Sequence, residues 1–72
     1  MTQLELIKRI NQVQAIRGAM TYKMPMFNEI HKATYEMIDL ILEDARTLEN
    51  TNEMLSICSE VQSIFDVKIN RD

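Results

Sequence analysis

Leu6, Ile10, Val13, Arg17 and Met20 fall at intervals of four, three, four and three residues, with Ile7 and Ile16 widening the stripe. That period lines one face of an α-helix, and it predicts a first helix over residues 3–17, or 3–23 if Gly18 is tolerated. Arg17 followed by Gly18 resembles a C-terminal stop, because a cation suits the last turn and glycine accepts a left-handed cap. Gly18 and Pro25 are the only residues of their kinds. Residues 18–25 are therefore the expected interruption between helices.

Beyond Pro25, a second face runs through Phe27, Ile30, Thr34, Met37, Ile41, Ala45 and Leu48, with Tyr35, Ile38 and Leu42 beside it. Proline is accepted in a first turn, where its missing N–H has no helical partner anyway. A second helix is predicted over 25–49, the longest and most apolar element. Glu49-Asn50-Thr51-Asn52 is a turn and cap cluster, and Asn50 with Glu53 three places on resembles a reciprocal cap. The third helix, over 51–67, carries Met54, Cys58, Val61, Phe65 and Lys68 on one line, with Ile57 and Ile64 alongside. Period-two alternation never persists, so no strand competes. The expectation is an all-α chain, a three-helix antiparallel arrangement forming a single domain over 1–72.

Size changes that picture by raising the question of stability. A chain of 72 residues buries only about 60% of the surface its unfolded form exposes, and such chains commonly need a disulfide, a metal or a partner. Cys58 is the single cysteine and His31 the single histidine, so neither an internal disulfide nor a metal staple is expected. Self-association is then the expected source of further burial, which makes the protein a homo-oligomer. Charges interrupt the amino-terminal segment before a signal-peptide core could form. The longest apolar run is Leu40-Ile41-Leu42, against about 20 residues for a membrane span. No membrane association and a cytoplasmic location are expected, in keeping with the unpaired cysteine.

Charge is unevenly placed. Residues 1–35 carry +3 and residues 36–72 carry −6, for a net −3. The expected reason is that the two halves fold together and pair their charges at the rim. Glu36, Asp39, Glu43 and Asp44 then form a solvated strip on the second helix, balanced by the first, with Arg9 at the level of Asp39.

Candidate chemistry is sparse, and no enzyme is expected. Catalysis needs polar groups converging on a sheltered pocket, yet Cys58 sits between Ile57 and Val61 on an apolar stripe and is expected to be an inert core residue. His31 and Glu29 lie two positions apart, not at the helical spacing that lets two side chains share a metal. One glycine cannot build a phosphate loop. No cofactor, metal or catalytic residue is expected. Nucleic acid is also disfavoured, because the third helix presents Glu53, Glu60 and Asp66 where phosphates would lie. Lys8, Arg9, Gln12, Gln14 and Arg17 on the first helix offer only a weak phosphate contact.

The segment from Met20 to Phe27 stands out. It holds three of the six methionines, with a tyrosine and a phenylalanine, where a connection is normally polar. Flexible, polarizable methionine and amphipathic tyrosine suit an adaptable contact surface. Met20, Tyr22, Lys23, Met24, Met26 and Phe27 are therefore the expected partner-binding residues, the alternative being that they seal the core or a dimer. The leading expectation is a helical protein that binds and regulates or inhibits a protein partner. Short acidic chains of this kind suggest, by association only, a phage or mobile-element factor acting on a host or defence protein. Two alternatives are an oligomeric binder of an anionic small molecule or nucleotide, through Lys8, Arg9, Arg17 and Lys23 beside Tyr22, and a structural subunit of a larger assembly.

Overall fold

Side-chain caps set two of the three helix starts. The computed structural model describes residues 1–71, and contains α1 (Gln3–Ala19), α2 (Phe27–Ala45) and α3 (Thr51–Phe65). Thr2 Oγ1 accepts from the Glu5 N–H at the start of α1, and Asn50 Oδ1 accepts from the N–H groups of Asn52 and Glu53 at the start of α3. First-turn amides have no intrahelical acceptor, so each such cap stabilises its helix by about 1 kcal/mol. Of the reciprocal cap expected for Asn50 and Glu53, the Asn50 half is formed, while no hydrogen bond returns from the Glu53 side chain to the Asn50 N–H among the described residues. α2 starts differently: its N-cap is Met26, held in the left-handed region at φ 61° and ψ 27° with no side-chain cap.

The expected boundaries shift at the connections. Gly18 does not stop α1, which runs on to Ala19 and ends at an extended Met20 whose N–H donates to the Arg17 carbonyl. No glycine has positive φ. The chain turns at Met26 instead, so Pro25 precedes α2 rather than occupying its first turn. α2 ends at Ala45, and Arg46, Thr47 and Leu48 close short turns by donating to the carbonyls of Glu43, Asp44 and Ala45.

The buried core is aliphatic. It takes Leu6, Ile10 and Val13 from α1, Ile38, Ile41 and Ala45 from α2, and Ile57, Val61 and Ile64 from α3. Each large side chain buried in this way contributes about 1.5–3 kcal/mol. The expected line on α1 is the buried one. On α3 the helix is rotated from expectation: Ile57, Val61 and Ile64 face inward, Met54 and Cys58 lie half-buried, and Phe65 and Lys68 face solvent. Both lines are apolar enough to serve, and the one built of β-branched Ile57, Val61 and Ile64 is the one that joins the core of α1 and α2.

Contacts along α1 give the register. Arg9 pairs with Asp44, rather than with Asp39 as its level on the helix suggested, and Arg17 meets Thr34. On the other side, Gln14 bonds Ser63, and Gly18 lies beside Val67. After α3 the chain folds back onto the end of α1 and forms one isolated parallel bridge, Thr21 with Asn70. The Tyr22 N–H donates to the Asn70 carbonyl and the Asn70 N–H to the Met20 carbonyl, both at 3.1 Å. Two hydrogen bonds are too few to leave an alternating signature in sequence. No helix among the described residues is long and apolar enough to cross a membrane.

Candidate functional site

Arg17 lies in the last turn of α1 on the same face as Ile10 and Val13, and it is only 5% exposed. Its Nη1 donates to Thr34 Oγ1 at 3.0 Å and approaches His31 Nδ1 at 3.4 Å. For His31 to accept there, its proton must sit on Nε2. The guanidinium also stands 5.4 Å from the centre of the Tyr35 ring. Its Nε has no hydrogen-bond partner. Burying an ion costs several kcal/mol unless a counter-charge and full hydrogen bonding offset it. Here the offsets are a hydroxyl, an imidazole, a π-face and the helix C-terminus, each modest. Among the described residues the one ion pair is Arg9 with Asp44, so no described carboxylate pairs with Arg17.

Arg17 forms part of the wall of a cleft of about 570 Å³ between the end of α1 and the returning chain. Tyr22, Lys68, Asn70 and Arg71 line it with Arg17, and Val67 and Ile69 supply its apolar wall. Among the described residues no acidic one lines it. A second cleft, at the opposite end, is lined by Glu49 and Glu53 beside Thr2 and Asn50. Among the described residues the charged side chains lining the first cleft are therefore all cationic, and those lining the second all acidic.

A row of rings begins at the same cleft. Tyr22 and Phe27 lie 4.9 Å apart between centroids, Phe27 and His31 5.3 Å, His31 and Tyr35 4.9 Å, and Tyr35 and Phe65 6.2 Å. These are all four aromatic residues of the chain and its single histidine. None belongs to the buried core. Tyr22, Tyr35 and Phe65 are 54%, 42% and 47% exposed.

No family model, curated protein or solved structure matches this chain. The site is thus defined by its own geometry.

The residues singled out in the sequence divide between these features. Met20 is buried at the end of the bundle, Tyr22 and Phe27 join the row, Met24 is half-buried, and Lys23 and Met26 face solvent. Of the anion-binding candidates, Arg17 alone lines the cationic cleft; Arg9 is held by Asp44, and Lys8 and Lys23 are exposed elsewhere. The cleft's other cations, Lys68 and Arg71, lie some fifty positions from Arg17 in sequence, and no local pattern links them. Phe65 had a signal, its place on the α3 stripe, but that signal pointed inward. Cys58 is unpaired and half-buried at the edge of the core, not within it. Among the described residues no three His, Cys, Asp or Glu side chains gather as a metal would require.

Proposed function

We propose that this chain is a non-enzymatic helical protein that binds and regulates a protein partner through the aromatic row, working as a homo-oligomer of antiparallel three-helix units. The observation that carries this reading is that every aromatic side chain lies outside the core in one continuous, largely exposed line. Aromatic residues are the side chains most enriched where interfaces gain their binding energy, and a small protein with no use for them on its surface would bury them.

Shape supports the same reading. The chain exposes 5066 Å², against about 4,650 Å² expected for a monomer of its mass. Its radius of gyration is 13.1 Å, against about 11 Å for a compact chain of its length. The register of Arg9 with Asp44 and Arg17 with Thr34 supports the antiparallel reading, since partner numbers on α2 fall as those on α1 rise. The unpaired Cys58 accords with a cytoplasmic setting.

The test compares the wild-type chain with the triple variant Tyr22→Ser/Tyr35→Ser/Phe65→Ser, both confirmed helical by circular dichroism, in affinity capture from the native lysate. Capture is done in 1 M salt, where the Debye length is about 3 Å and charge contacts are screened. The expected result is a partner recovered in fixed ratio by the wild type and lost from the variant. Equal recovery by both removes the row as the contact surface. Light scattering of the pure protein should give a multiple of 8.5 kDa; a single-chain mass at high concentration removes the oligomer.

A further inference from the structure

We propose that the cleft between the end of α1 and residues 67–71, lined by Arg17, Lys68, Arg71 and Tyr22, is a binding site for a small organic phosphate. The argument begins with the unmet bonding of Arg17. A guanidinium carries five N–H donors in a fixed fork matched to the oxygens of a phosphate or carboxylate. In this chain Nη1 has its acceptor in Thr34, while Nε, at a residue only 5% exposed, has none. A buried charged donor left unmade is destabilising by more than a neutral one. An oxyanion in the cleft, which Arg17 helps to line, would supply the counter-charge that no described residue provides.

The cleft's other walls fit that ligand. Lys68 and Arg71 add two cations, and among the described residues no acid lines the space, so three positive charges favour a dianion over a single carboxylate. The volume of about 570 Å³ lies within the range of small-molecule sites, about 300–1,000 Å³, and exceeds what a bare phosphate fills. Tyr22, with Val67 and Ile69, offers apolar surface for the organic part. The site is also held in place. Asn70 is bonded through its backbone to Met20 and Tyr22, and its side-chain amide donates to the Gly18 carbonyl at 3.3 Å. The last-turn carbonyls of Arg17 and Gly18, which would repel an anion, thus already accept hydrogen bonds from Met20 and Asn70.

Arginine side-chain NMR reads the proposal directly. The full chain, labelled with ¹⁵N, is titrated with phenyl phosphate, inorganic phosphate, phenol and, at matched ionic strength, sodium chloride, while the Arg17 Nε–Hε resonance is followed. Saturable movement of that resonance with both phosphates is expected, with phenyl phosphate at least several-fold tighter and phenol without effect. The double variant Lys68→Gln/Arg71→Gln alters two exposed positions and should weaken phenyl phosphate at least tenfold with the amide spectrum of the helices unchanged. Tighter binding of inorganic phosphate than of phenyl phosphate would overturn the organic part of the assignment. Movement by chloride equal to that by phosphate, no saturable movement at all, or undiminished affinity in the double variant would overturn the site itself.

Discussion

Arg17 Nη1 donates to Thr34 Oγ1 at 3.0 Å, and the same hydroxyl donates onward to the His31 carbonyl at 2.6 Å. One side-chain oxygen therefore uses both its functions inside the bundle, and it is the principal acceptor for a buried cation. Thr34→Val keeps the shape and removes that acceptor. It should lower stability by about 1–3 kcal/mol, the range for a buried donor left unsatisfied. Arg17→Met removes the charge as well as the donor and should leave stability unchanged or higher, because an apolar side chain of similar length carries no desolvation penalty. Combined, the two changes should be less damaging than their sum. Urea denaturation of the three variants decides it; a loss for Arg17→Met as large as that for Thr34→Val contradicts the account.

Gly18 stands inside α1 with ordinary helical backbone, and a Cβ there would meet Val67 Cγ1 at 3.7 Å, a normal contact distance. Gly18→Ala should therefore stabilise the protein by about 0.5–1 kcal/mol, the helix-propensity difference. For a domain of this size that corresponds to a rise in Tm of roughly 2–8 °C. A fall in Tm would mean that the packing of Val67 against α1 is tighter than the structure shows.

Met26 holds φ at 61° without a glycine's freedom and without capping α2 through its side chain. A non-glycine residue in that region costs about 1–2 kcal/mol. Met26→Gly should recover a part of this, about 0.5–1 kcal/mol, after allowing for the greater entropy of an unfolded glycine. Thermal denaturation measures the gain. Helix content should stay the same, since the N–H of Ile30 still has the residue 26 carbonyl to bond.

Core and row should respond in opposite ways. Ile41 is fully buried among all three helices, and Ile41→Ala should cost about 2–5 kcal/mol. A chain of 72 residues has only about 4–11 kcal/mol in total, so much of the variant should be unfolded at physiological temperature. Phe65→Ser, at a position 47% exposed, should cost under about 1 kcal/mol of stability while weakening partner capture. Circular dichroism melts paired with capture assays distinguish the two. A collapse of Phe65→Ser comparable to that of Ile41→Ala would place the ring in the fold's own economy rather than at its surface.

Periodic spacing by itself determined that the chain is all-α, where its three helices lie, and which side of α1 is buried. Leu6, Ile10, Val13, Arg17 and Met20 form the predicted line and are the residues buried, because an amphipathic stripe has one direction to face when its opposite side is charged. Asn50 was equally legible, since a cap is satisfied within three residues of itself. Tertiary structure decided everything that depends on residues far apart in the chain. Whether Ile57 or Cys58 leads α3 inward depends on the space between two other helices, and whether Gly18 ends α1 depends on Asn70 and Val67 arriving from the far end of the sequence. The cationic cleft belongs to that class as well: Arg17 was visible as a lone cation on an apolar stripe, but its meeting with Lys68 and Arg71 arises only when the chain closes on itself.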